Sequence, residues 1–160
     1  MKKFPLQNGG YALIDNENYD YLHQWKWYRN IDGYAQRRQV INGKRVCFLM
    51  HRIVGNIPDG LITDHINGNR LDNRKINLRV CSFAQNARNY PKQKTARTSK
   101  FKGVVLDRNP NRKKNYKVMI RINKHSRILV GYFYTEKEAA KAYNQAALKH
   151  HGTFARLNVF

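Results

Sequence analysis

From Asp64 to Asn86 the chain reads DHINGNRLDNRKINLRVCSFAQN, and four of these side chains have the chemistry to hydrolyse a phosphodiester. That reaction needs a base to deprotonate a water and a cation to offset charge on the phosphorus and the departing oxygen. A neutral imidazole, with an ordinary pKa of about 6.5, suits the first task and points to His65. Hard oxygen donors suit the second: the Asp64 carboxylate and the Asn86 amide match Mg²⁺, or another divalent cation such as Mn²⁺, whose other ligands are water and substrate phosphate. Asn77 offers amide donors and a carbonyl acceptor, so it reads as a brace that ties backbone across the loop and fixes His65. A bland alternative takes Asn67-Gly68-Asn69 and Asp72-Asn73 as ordinary turns with an incidental histidine before them.

These side chains need elements to hold them. Asp64 and His65 close an extended segment, where neighbours project to opposite sides. Ser82-Phe83-Ala84-Gln85 is a capping-box pattern that places Asn86 in the first turns of a helix. Taken together the residues resemble the HNH nuclease motif, in which two strands and a helix hold one divalent metal. The resemblance implies Asp64 and Asn86 as metal ligands, and His65 and Asn77 as catalytic residues. The sequence reads H-N-N, with Asn86 where many members carry a final His, as in homing-endonuclease members, and it lacks flanking zinc-binding cysteine pairs. His51, in MHRIV, resembles a recurrent histidine ahead of the HNH core and is read as structural. His23, His125, His150 and His151 have no acidic or thiol partner at ligand spacing.

The C-terminal part carries a second pattern. FKGVVL, YKVMIRI and RILVGYF read as three strands, followed by a helix that starts at a Thr135-x-x-Glu138 capping box and stops at Gly152. Ala139, Ala142, Tyr143, Ala146, Ala147 and His150 form one helical face of mostly small side chains, able to approach a sheet closely. Ser99 to Asn158 resembles the plant apetala/ethylene-response-factor DNA-binding domain. That family lays its sheet in the major groove with the helix behind it, which implies a DNA-facing side made of Lys117, Met119, Arg121 and Asn123, joined by Arg127 and Leu129. Ile128 and Val130 are expected to turn to the helix. Arg121 and Arg127 are the expected base contacts, since a guanidinium pairs bidentately with guanine. Arg108, Arg112, Lys113 and Lys114 in the turn, and Arg97 before it, are expected near phosphates. Val105 and Leu129 stand where plant members place an Arg and a Trp, so their base readout does not transfer. The combination looks like an HNH homing endonuclease of phage, prophage or organelle introns.

Composition supports a polyanionic partner. The 160 residues carry a formal net charge of +21, yet 41% are hydrophobic, with 10 Tyr, 7 Phe and 2 Trp, too much apolar material for a disordered basic tail. Residues 1 to 86 hold 13 Lys and Arg against 7 acids, net +6, whereas residues 87 to 160 hold 18 against 3, net +15. YALID, WKWY, GYAQR and RVCFLMHRIV are β-prone runs separated by glycine turns, and the aromatics from Tyr19 to Tyr28 read as core. The expected organisation is α+β: a ββα-metal nuclease domain with extra strands over 1–90 (core 50–90), a basic linker over 91–98, and a three-stranded antiparallel sheet packed on one helix over 99–160. No run approaches a membrane span and Met1 to Asn16 lacks the apolar core of a signal peptide, so an intracellular protein of cytoplasm or nucleoid is expected, with no membrane partner. Cys47 and Cys81 stand far apart, which argues against cysteine-ligated zinc and for two small packing residues; protein partners are left open. The expected function is metal-dependent cleavage of double-stranded DNA. A non-catalytic DNA-binding regulator with a degenerate nuclease domain is the alternative, and an RNA-binding ribosomal role accounts for the charge but not the triad.

Overall fold

A computed structural model describes residues 1–92, 99–111 and 113–160; Arg97, Arg112 and most of the expected linker lie outside the described residues. The chain divides into two compact units, Met1–Asn86 and Ala87–Phe160.

In the first unit, β1 (Lys2–Pro5) and β2 (Tyr11–Ile14) form an antiparallel pair, followed by the short helix α1 (Tyr19–His23). Then β3 (Tyr28–Arg29), β4 (Ala35–Ile41) and β5 (Lys44–Leu49) make a three-stranded antiparallel sheet. Helix α2 (Met50–Val54) leads to the antiparallel pair β6 (Ile62–His65) and β7 (Leu78–Cys81), and α3 (Phe83–Asn89) begins here and ends in the second unit. The core gathers Phe4, Leu6, Ala12, Ile14, Leu22, Trp27, Met50 and Val54. Two expectations fail here for one reason, the demand of this core. Within WKWY only Tyr28 joins a strand, because Trp27 turns inward, where its indole N–H donates to the Leu22 carbonyl at 2.9 Å. The β-prone run from Arg45 breaks after Leu49, and α2 buries Met50, His51 and Val54 along one side. Of the aromatic cluster, Trp27 is core, Tyr19 and Trp25 pack against it, and Tyr21 is exposed.

The second unit has β8 (Val104–Leu106), β9 (Tyr116–Arg121) and β10 (Arg127–Phe133) in antiparallel order β10-β9-β8, with α4 (Glu136–His151) packed on them. Both halves of the Thr135–Glu138 capping box are made. The first strand is shorter than FKGVVL, since Phe101 leaves it to join the core with Val104, Val118, Ile120, Ala139, Ala140, Tyr143 and Ala147. The buried helix face is Ala139, Ala140, Tyr143, Ala147 and His151, slightly rotated from the alanine-rich face expected. The rotation seats the Tyr143 ring over Gly103, a residue at φ +77° whose missing side chain makes room: any Cβ there would collide with the ring. Residues 87–92 also pack with this unit. The Lys92 ammonium donates to the carbonyls of Phe101 (2.8 Å) and Val104 (2.9 Å), and that of Lys102 to those of Arg88 (2.5 Å) and Tyr90 (2.6 Å).

Candidate functional site

The β6–β7 register runs without a bulge from Ile62↔Cys81 to His65↔Leu78. Strand alternation therefore sends Asp64 to the same side as Arg79 and Cys81, and His65 to the other, with Thr63. Asp64 and His65 are both buried. Arg79 clamps the Asp64 carboxylate, its Nε donating to Oδ2 at 2.8 Å and its Nη2 to the same oxygen. The Cys81 thiol lies beside the backbone of both Asp64 and Asn86, and burial, with the Asp64 carboxylate, pushes its pKa up. One buried sulfur thus marks where the end of β6 meets the start of α3. That helix begins as its sequence demands: Ser82 N–H donates to Gln85 Oε1 at 2.9 Å and Gln85 N–H to Ser82 Oγ at 3.3 Å, which sets Asn86 on the first turns.

On the other side, His65 belongs to an aromatic cluster. The His51 ring stands perpendicular to it at 5.1 Å, and Tyr34 lies 5.0 Å from His51 and 5.8 Å from His65. The Arg70 guanidinium covers the Tyr34 ring at 4.7 Å. Burial, then the neighbouring His65 and Arg52, holds His51 down to about 3, so it is neutral at physiological pH. Burial likewise lowers His65, opposed by a hydrogen bond with the Asn73 side chain and by the Asp64 and Asp72 carboxylates. A lowered imidazole is unprotonated near pH 7, the form that accepts a proton. His51, expected to be structural, packs directly on His65, and its buried Nδ1 has no hydrogen-bond partner among the described residues.

Asn77 spans the loop between β6 and β7. Its Oδ1 accepts from Asn67 N–H at 3.0 Å, its Nδ2 donates to the Asp72 carbonyl at 2.8 Å, and its own carbonyl accepts from Ile66 N–H at 2.9 Å. The loop is no ordinary turn. Asp72 and Asn73 are fully buried, Arg74 grips Asp72 through two bonds (2.7 and 2.6 Å), and Asn67 adds a third at 2.9 Å. These bonds, Arg74's foremost, hold the Asp72 carboxyl below the ordinary range. A parallel bridge from Leu13 to Asp72 ties the loop to β2. Sequence reasoning missed Asp72, Asn73, Arg74 and Arg79. Their one local signal is a polar run, LDNRKINLR, in which Leu71, Ile76 and Leu78 follow neither a strand nor a helix period.

Among the described residues no three His, Cys, Asp or Glu side chains cluster to hold a metal. The donor chemistry that is present, one carboxylate and one amide on adjoining elements, fits Mg²⁺, which binds through one or two carboxylates and keeps waters. A cation there would share Asp64 with Arg79.

In the second unit the register sets Arg127 opposite Arg121 and Leu129 opposite Met119, on one face, with Tyr132 opposite Lys117. A bulge between Leu129 and Gly131 lets Val130 turn to the core. Arg121, Arg127, Arg108 and Lys113 are exposed, whereas Lys117 and Met119 are half-buried. Of the residues expected to touch DNA, Arg97 and Arg112 lie outside the described ones.

Residues 45–88 match a family model described as HNH endonuclease. A protein of Acanthamoeba polyphaga mimivirus described as an uncharacterized HNH endonuclease is 29% identical over 152 residues, which span 94% of this chain and 75% of the viral one. No solved structure matches.

Proposed function

We propose that this chain is a divalent-metal-dependent DNA endonuclease of the HNH homing type, with its chemistry in Met1–Asn86 and its choice of target in the sheet-and-helix unit that resembles the apetala/ethylene-response-factor domain. One observation carries the reading. The end of β6 presents a carboxylate to one side and a buried, neutral imidazole to the other, and the loop that follows is locked by both polar atoms of Asn77. The match over residues 45–88 and the viral relative support it.

In this mechanism His65 takes the proton of the attacking water, Asn77 keeps the end of β6 in place, and Asp64 with Asn86 hold the cation. Bound there, Mg²⁺ would offset negative charge on the phosphate and the departing 3′ oxygen. The products are a 5′ phosphate and a 3′ hydroxyl. Exposed Arg121 and Arg127 read bases, while Arg108, Arg112, Lys113 and Arg97 neutralise phosphates; half-buried Lys117 and Met119 complete the reading face. Supercoiled plasmid incubated with Mg²⁺ or with EDTA tests the reading: nicking in the first and none in the second supports it, and no cutting with any divalent metal leaves the regulator alternative. Asp64→Ala and Asn86→Ala each raise the Mg²⁺ concentration needed for half-maximal cutting; unchanged metal dependence in both overturns the ligand assignment.

A further inference from the structure

The second unit holds an open cavity of about 320 Å³ that neither the sheet's reading face nor the core accounts for. Every residue of its wall lies within Ala87–Phe160. Four of its described residues are basic, Lys92, Lys100, Lys102 and Arg156, and none is acidic, while Phe101, Leu157 and Val159 supply an apolar side. A cleft walled by one sign of charge beside apolar groups concentrates its field on an incoming ion of the opposite sign.

The fold fixes these cations in place. The Lys92 ammonium donates to the carbonyls of Phe101 and Val104, and that of Lys102 to those of Arg88 and Tyr90, so among the described residues each keeps one of its three donors. The C-terminal wall is tied as firmly. Asn158 Oδ1 accepts from Lys102 N–H at 2.6 Å, Asn158 Nδ2 donates to the Lys102 carbonyl at 3.1 Å, and Asn158 N–H donates to Asn144 Oδ1 at 2.7 Å.

Holding like charges together here is unfavourable. Burial, then the charge of Arg156, lowers the Lys102 ammonium to about 8, and burial also lowers Lys92. Glu136 opposes the shift of Lys92, but it stands outside the wall, and its carboxylate already accepts from Lys100 N–H at 3.2 Å. An anion in the cavity would relieve this repulsion. Phosphate suits the cavity better than a carboxylate does, because its oxygens accept from donors on several sides at once. The volume, at the lower end for ligand sites, leaves room beside Phe101 and Leu157 for the sugar or base that carries the phosphate.

We propose that this cavity is a phosphate-binding site, which takes the phosphate of a nucleotide, free or within a DNA strand, between Lys92, Lys102 and Arg156. It is separate from the reading face. Asn158 ties its wall to α4, which packs on the Val118 and Ile120 side of the sheet, and strand alternation turns Arg121 to the other side. The site stands whether or not the first unit cuts DNA.

Lys102 reports on the site in the unaltered chain, since an amine is acylated through its neutral form and the lowered pKa exposes that form near pH 8. The full chain is labelled with trace acetic anhydride at that pH and constant ionic strength, in chloride alone, with inorganic phosphate, with thymidine 5′-monophosphate, and with a DNA duplex. Mass spectrometry follows each lysine, with Lys149, exposed on α4, as the reference. Occupancy should slow Lys102 labelling about tenfold with the probe at about ten times its Kd, and leave Lys149 unchanged. Protection by inorganic phosphate or the monophosphate identifies a free ligand, and protection by duplex alone identifies the DNA backbone; either result supports the site. No protection of Lys102 by any of the three, or equal slowing of Lys102 and Lys149, overturns it. Arg156→Gln should remove most of the protection, and a variant protected as fully as the unaltered chain overturns the proposal as well.

Discussion

Among the described residues, buried polar side chains are divided unequally between the two units. Met1–Asn86 encloses Gln36, Arg37, His51, Thr63, Asp64, His65, Asp72, Asn73 and Asn77, whereas Ala87–Phe160 encloses only Asn89 and His151. The second unit closes mainly on alanines, valines and Tyr143, so its core is filled by shape rather than by a buried polar network. In the first, each buried polar atom left without a partner costs about 1–3 kcal/mol, so its stability depends on a network being complete. The difference fits the proposed division of labour: a base, a carboxylate and their braces can be kept desolvated only by a unit that accepts this fragility, and a unit that presents a surface need not.

The sharpest way to break the comparison is to remove the base. His65→Ala should lower the rate of plasmid nicking by about 10² to 10⁴ while duplex affinity stays near wild type, because a general base makes little ground-state contact. Full activity in that variant takes His65 out of the mechanism. Gly103→Ala attacks the other unit through shape: the new methyl meets the Tyr143 ring at a φ of +77°, and overpacking plus backbone strain should cost about 3 kcal/mol or more. Calorimetry should then show the loss confined to one transition, with nicking retained and target preference gone. A Gly103→Ala protein that keeps its preference would show that the first unit selects the site.

Acid should separate the units next. Above about pH 6.5 His51 and His65 are neutral in both folded and unfolded chains, and their contribution is complete. Below it the unfolded chain takes up protons that the buried rings refuse, so stability falls as pH drops, and for His51 keeps falling until about pH 3. By pH 5 the His51 site alone should cost roughly 2 kcal/mol, at about 1.4 kcal/mol per pH unit. His151, also lowered by burial, gives the second unit a smaller loss of the same sign. Urea melts at pH 7 and pH 5 measure both; equal losses would mean that the histidine cluster is not what makes the first unit acid-sensitive. The smallest effect comes from the helix cap, where Thr135→Ala should cost about 1 kcal/mol in the second unit and leave nicking unchanged.

The same contrast governs what the sequence discloses. Thr135, Glu138 and the alternation from Tyr116 to Arg121 are local signals, complete within a few residues, and the helix and middle strand could be read directly from them. The rotation of the helix face could not, because it is set by Gly103, far away in the chain. Near the site, the spacing of Asp64, His65, Asn77 and Asn86 and the Ser82–Gln85 cap stand out by residue type. Asp72 and Asn73 carry turn-forming chemistry, and only the partners Arg74, Asn67 and Leu13 explain why they are buried. Helix α2 hid within a β-prone run, since its burial is decided by the core and not by propensity.

The bridge from Leu13 to Asp72 has a consequence for synthesis. Strand β2 waits for partners made some sixty residues later: Lys75 N–H donates to Asp15 Oδ2 at 2.7 Å, and the Lys75 ammonium reaches Glu17 at 2.6 Å. A nascent chain released before Asp72 therefore has neither the brace of the loop nor the clamp on β2. On the proposed reading, termination before Asp72 would yield an open fragment that lacks the brace beside His65.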